Sequence, residues 1–229
     1  MQVIERALGV PVKRFERPMF GYLSREEMLA VIGSPNGTWL GQRDHLLFLL
    51  MYNTGARVSE MIGIKVSDVV HDDSAACVHL HGKGRKQRSV PLWQSTVKAV
   101  RAWLRLNSPF DTASPLLPNR NGHVMTRANV TLRLTLAVQS ASSAQPSLAN
   151  RHISPHVIRH TTAMHLLQSG VDISVIALWL GHESPLTTHQ YVEADLAMKE
   201  RALARLHEPA AKIQRYTAPD SLLAFLRRL

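Results

Sequence analysis

Apolar residues recur along this chain at two spacings, and the switches between them mark out its elements. Ser24-Arg25-Glu26-Glu27 places a serine three residues ahead of a glutamate, the capping-box arrangement, and predicts a helix ending near Gly33. Asp44 to Asn53 is mostly apolar with Gly55 just beyond, which suits a buried helix closed by a glycine, and Arg57 opens the next short helix. From Lys65 to Leu92 the residues become β-rich, with Gly82-Lys83-Gly84-Arg85-Lys86 as a tight turn between two segments of a small antiparallel sheet. Helical periodicity returns for Gln94 to Leu106 and for Arg127 to Ala141, separated by an extended stretch rich in proline and asparagine. Ser140 to Arg151 reads as loop.

The last third carries three further start signals. Ser154-Pro155 predicts a serine-capped helix running to Ser169, stopped by Gly170, and Asp172 caps another that ends at Gly181. Ser184-Pro185 repeats the signal and opens a helix or turn carrying Tyr191. A helix over about 195–207 is broken by Pro209, and Asp220 to Leu229 is a short amphipathic segment with Leu222, Leu223, Phe225 and Leu226 on one stripe. The expected fold is mainly α (α+β), helices around a small antiparallel sheet with a basic β-hairpin.

A chain of 229 residues with 45% hydrophobic residues can bury one substantial core. Its formal charge of +10 favours a polyanionic partner, nucleic acid first and an anionic membrane surface second. No apolar run is long enough to span a bilayer, and the start Met1-Gln2-Val3-Ile4-Glu5-Arg6 is no secretory signal, so a cytoplasmic location is expected. The single cysteine, Cys77, excludes an internal disulfide and reads as a small buried hydrophobe. His79 and His81 fall on one face of a strand, with no carboxylate or third histidine at ligand spacing in the sequence, so no metal site is expected.

Three places combine cations with suitable local geometry. In Gly55-Ala56-Arg57-Val58-Ser59-Glu60, a glycine-terminated helix turns and sets Arg57 at the start of the next, where a cation is unfavourable unless an anion also comes. An exposed salt bridge to Glu60 is the plainer alternative. Gly82 to Arg88 is a basic hairpin tip able to approach a backbone phosphate, or simply a solvated turn. His156 and Arg159, spaced i and i+3 near a helix N-terminus, share one face, and Leu180-Gly181-His182 adds an imidazole past a helix end, with Tyr191 one segment later. Cleaving a phosphodiester needs cations on its non-bridging oxygens, an in-line nucleophile and an acid for the leaving oxygen, and arginine suits the first task with its forked, permanently charged donors.

Residues 52–60 (Tyr-Asn-Thr-Gly-Ala-Arg-Val-Ser-Glu), residues 81–92 (His-Gly-Lys-Gly-Arg-Lys-Gln-Arg-Ser-Val-Pro-Leu) and the stretch from Ser154 through Asp195 resemble the successive signature boxes of the tyrosine recombinase (phage integrase) family. The last box reads His156-x-x-Arg159-His160, Leu167 to Asp172, Trp179-Leu180-Gly181-His182, Thr187-Thr188 and Tyr191, and the match spans roughly 22–196. The resemblance implies a site-specific recombinase or integrase, often carried on a mobile genetic element, that cuts and rejoins double-stranded DNA through a 3′-phosphotyrosine at Tyr191, without metal, nucleotide or other cofactor. By the same resemblance Arg57 and Arg159 clamp the scissile phosphate, His156 and His182 hydrogen-bond its oxygens, Lys83 protonates the departing 5′ oxygen, and Glu60 orients its neighbours. Arg85, Lys86, Arg88, His160, Thr187 and Thr188 are expected at the DNA. It further implies a linker or remnant of an N-terminal DNA-binding domain at 1–20, a catalytic domain at 21–208, a tail helix at 209–229 that packs on its own chain or on a neighbouring protomer, and a tetramer on DNA. A type IB topoisomerase-like enzyme and a non-catalytic DNA-binding remnant are the rival readings. No small-molecule substrate is expected.

Overall fold

The computed structural model describes residues 21–71, 76–82, 87–108 and 111–182. Among them are seven α-helices and one three-stranded sheet: α1 (Arg25–Gly33), α2 (Trp39–Thr54), α3 (Val58–Ile62), β1 (Val69–Val70), β2 (Cys77–His81), β3 (Gln87–Pro91), α4 (Gln94–Leu106), α5 (Arg127–Ala141), α6 (Pro155–Gln168) and α7 (Ile173–Leu180). The expected class, mainly helical with a small antiparallel sheet, is the one observed. The Ser24 capping box is present in full: Ser24 Oγ accepts from Glu27 N at 3.2 Å and Glu27 Oε2 accepts from Ser24 N at 2.8 Å. No described helix is long and apolar enough to cross a membrane.

The middle helix is longer than its apolar run suggests. α2 begins at Trp39, where Thr38 Oγ1 accepts from Gly41 N at 3.2 Å, so its first turn is polar and only the remainder is core. Leu46, Leu47, Phe48, Leu50 and Met51 are all at most 1% exposed, and α2 packs against α1, α4 and α6. Surrounded on so many sides, it shows little amphipathic contrast along most of its length. α6 ends as expected at Ser169 and Gly170, but Ser154 caps it by backbone position alone, its hydroxyl making no capping hydrogen bond. The expected loop at 140–151 contains a short 3-10 turn at Pro146–Leu148.

The strands run in the order β1-β2-β3, each pair antiparallel, with Val78 opposite Val90 and Leu80 opposite Arg88. Cross-strand partners share a face of the sheet. Val78, Leu80 and Val90 are buried on the inner face, and Arg88 therefore points inward with them. Cys77 is half-buried at the edge of this arrangement rather than fully enclosed, because it falls on the opposite face from Val78. His79 Nδ1 lies 2.8 Å from Ser89 Oγ, and His81 Nε2 lies 3.1 Å from Asp68 Oδ1. The fold thus brings beside His81 a carboxylate that spacing along the chain does not reveal. Among the described residues no third ligand joins them.

Candidate active site

The C-terminal end of α7 is held by three arginines from three different elements. Asp172 starts that helix by accepting from Ser174 N at 2.8 Å, and Gly181 ends it in the left-handed region at φ 64°. A helix ends with carbonyls that have no partner within the helix and carry its negative pole. Here those of consecutive residues are filled by guanidinium groups. Arg88 Nε donates to Trp179 O at 2.9 Å, Arg159 Nη2 to Leu180 O at 2.8 Å, and Arg57 Nη2 to Gly181 O at 3.2 Å.

Each arginine is also fixed at a second point. Arg159 is 5% exposed, and its Nη1 donates to Gly55 O at 2.6 Å. Gly55 closes α2 with φ 59°, and a Cβ there would sit 2.5 Å from Leu180 Cδ2, so the turn that delivers Arg57 also packs closely on α7. Arg57 and Arg88 share Glu60. Its Oε1 accepts from Arg57 Nη1 at 3.1 Å and from Arg88 Nη1 at 2.9 Å, while its Oε2 accepts from Arg88 Nη2 and from Arg57 N, both at 2.8 Å. Burial would raise the Glu60 carboxyl, but the Arg88 hydrogen bonds, the Arg57 backbone N–H and the charges of both arginines hold it down at about 2. The expected Arg57–Glu60 contact therefore exists, yet its carboxylate side chain is 2% exposed and serves two cations.

His182 follows directly. Burial first, then the charges of Arg159, Arg57, His160 and Arg88, push its imidazole down to about 4, so it is neutral at physiological pH. His160, half-buried, is lowered by burial and by the charges of His156 and Arg159. His156, at the start of α6, is exposed. Arg57, Arg159, His160 and His182 are thereby gathered from residues up to 125 apart in the sequence, while His156 acts on His160 by its charge. Beside them lies an open cleft of about 880 Å³, whose lining includes Arg57, Glu60, Arg88, Arg127, Gly181 and His182.

Arg88, expected at the DNA, has a side chain 14% exposed with its fork closed on Glu60. The two-residue alternation of β3 was the available signal, since Arg88 shares the inward parity of Val90. Arg127 was passed over in the sequence. It follows the Thr126 cap of α5, where a cation gains nothing from the helix, the same mark that singled out Arg57. Lys83, Arg85, Lys86, Thr187, Thr188 and Tyr191 lie outside the described residues, as do 1–20 and 183–229.

A predominantly helical domain whose convergent guanidinium and imidazole groups border an open cleft is suited to a phosphate ester rather than a small apolar ligand. The chain belongs to the phage integrase family, whose model matches residues 22–198. It is 43% identical over 227 residues to the putative integrase/recombinase y4rC of Sinorhizobium fredii, covering 99% of this chain and 68% of that protein. It is 40% identical over 178 residues to tyrosine recombinase XerC of Neisseria meningitidis serogroup C, covering 78% of this chain and 55% of XerC. The chain spans about half to two thirds of the length of the curated relatives it matches. Among solved structures, the XerA recombinase is similar at TM-score 0.69 and 28% identity over 86% of this chain and 68% of that one. The XerH recombinase bound to its difH substrate in a post-cleavage complex shares the fold at TM-score 0.69, over 82% of this chain and 53% of that one.

Proposed function

We propose that this chain contains the catalytic domain of a site-specific DNA recombinase, acting on double-stranded DNA in the cytoplasm and assembling as a tetramer there. The observation that carries the reading is the convergence of Arg57, Arg159 and a neutral His182 at the end of α7 beside an open cleft. In this reaction Tyr191 Oη attacks phosphorus, the bond from phosphorus to the 5′ oxygen breaks, and Lys83 donates a proton to that oxygen. The resulting 3′-phosphotyrosine conserves the bond, so a 5′ hydroxyl from a partner strand reseals it without a nucleotide. Two guanidinium groups neutralise charge building on the non-bridging oxygens, and they are fixed before substrate arrives. A neutral imidazole offers both an N–H for a phosphate oxygen and a lone pair for the phenol proton, which a phenol with a pKa near 10 must lose.

The test is covalent trapping. A random-sequence pool of end-labelled duplexes carrying internal nicks is incubated with the chain, and DNA that stays attached to protein in detergent is recovered and sequenced. A single recovered site, with the adduct mapped by peptide mass to Tyr191, is the expected result. An adduct that persists in Tyr191→Phe overturns the assignment of the nucleophile, and relaxation of plasmid without any preferred site favours the topoisomerase-like alternative.

A further inference from the structure

We propose that Arg88 is a positioning residue of this site, tying the C-terminal turn of α7 to Glu60 and so fixing where Gly181 and His182 stand relative to Arg57; the inference rests on the strand-cleavage reading above. Its hydrogen bonds reach two elements that are otherwise far apart in the chain: two to the Glu60 carboxylate at the start of α3 and one to Trp179 O at the end of α7. The backbone of Gly181 is pressed against it. A Cβ on Gly181 would meet Arg88 Nη1 at 2.8 Å and Arg88 Cδ at 3.2 Å, so a side chain there would have to displace the guanidinium.

The geometry also explains why an arginine is used. Nε and the two Nη atoms must point to a carbonyl and a carboxylate at once, with fork geometry on the carboxylate. A lysine ammonium reaches one of the two. Arg57 shares the same carboxylate, so the two guanidinium groups are bridged by Glu60, one with a side chain 39% exposed and the other 14% exposed, both in the lining of the cleft. Arg88 is the second residue of β3, directly across from Leu80, so the same side chain links the sheet to the helix end. Removing it leaves Glu60 buried with one cation instead of two.

The experiment uses the full chain as Arg88→Lys and Arg88→Gln, with wild type, on a nicked duplex recovered from the trapping pool. At saturating DNA, the rate of adduct formation is expected to fall roughly 10–100-fold in Arg88→Gln, as for other groups that orient reacting residues. The DNA concentration giving half that rate should change less than about 3-fold, because the phosphate contacts are made by other cations. Arg88→Lys, which keeps the charge beside Glu60 and with it the fold, should recover part of the lost rate. An unchanged saturating rate with weaker binding and a shallower salt dependence would make Arg88 a DNA contact and overturn the proposal. A Gln variant as fast as the Lys variant would overturn it too. Hydrogen exchange of the peptide covering 173–182, measured without DNA, should quicken in both variants, and unchanged exchange contradicts the tie. If wild type forms no adduct, the strand-cleavage reading fails by itself while exchange still decides the tie made by Arg88.

Discussion

Two carboxylates in this chain are each buried between a pair of arginines, and the two clusters use their charges differently. Asp44 Oδ1 accepts from Arg43 Nη2 at 2.7 Å and Oδ2 from Arg133 Nε at 2.5 Å, while Arg43 Nη1 donates to Pro118 O at 3.2 Å. Arg43 and Asp44 side chains are each 2% exposed, and the guanidinium carbon lies 5.9 Å from the Trp39 ring. The third member, Arg133, keeps 28% of its side chain exposed. Around Glu60 the carboxylate is just as buried, but Arg57 keeps 39% of its side chain exposed beside a cleft. Equal burial of the anion thus gives a structural strut in one place and, in the other, a fixed cation presented to the outside. What separates them is that the exposed arginine of the second cluster, Arg57, lines the cleft, which ion-pair distances alone do not reveal.

Perturbing each cluster should separate the two roles. The largest effect is expected from Asp44→Asn, which leaves Arg43 buried without its counter-charge. A loss of about 3–5 kcal/mol is predicted from urea unfolding. The cleavage rate of the fraction still folded should be unchanged, and a matching loss of that rate would mean that the strut too serves the site. Next is Arg57→Ala, predicted to slow adduct formation by about 10²–10³-fold at saturating DNA, the cost typical of losing one donor to a developing anion. Its midpoint in urea should move far less than that of Asp44→Asn.

A smaller effect sharpens the comparison through backbone. Gly181→Ala puts a side chain at φ 64° against Arg88, whereas Gly122→Ala puts one at φ 81° with nothing within 4 Å. Both should lose about 1–2 kcal/mol of stability from the left-handed conformation. Only Gly181→Ala should also slow cleavage, and equal kinetics in the two would contradict the coupling between α7 and Arg88. The smallest effect concerns pH. His182 is lowered to about 4, so between about 6.5 and 4 the unfolded chain binds a proton that the folded one does not, and stability falls as pH falls through that window. The lowered His160 and His165 add in the same direction. Glu60, at about 2, contributes stability that is complete above about 4.5 and disappears as pH falls from there towards 2. His182→Gln should flatten the upper window measured by urea midpoints, and an unaltered slope would show that its imidazole titrates normally.

The local signals carried much of this structure. The expected bounds of α4 and α5, Gln94 to Leu106 and Arg127 to Ala141, are those observed, because caps and periodicity are properties of neighbouring residues. The Gly55 and Gly181 stops were equally legible. The start of α2 was not, since its Thr38 cap precedes a polar first turn that lies outside the apolar run. Arg88 shows the deeper limit. Its charge and its place beside a basic segment suggested a DNA contact, but its partners are 28 and 91 residues away, and the packing of α3 and α7 against the sheet brings Glu60 and Trp179 within reach. His81 meeting Asp68 belongs to the same class. Long-range packing, rather than any local signal, decides which of these side chains line the cleft and which hold others in place.

The most direct measurement of the central claim, that these cations converge on one phosphate, is a crystal structure of Tyr191→Phe bound to the recovered duplex. The predicted result places the scissile phosphate within hydrogen-bonding distance of the Arg57 and Arg159 guanidinium groups and the His182 ring. A phosphate seated elsewhere on the protein, with Arg57 still turned to solvent, would contradict it.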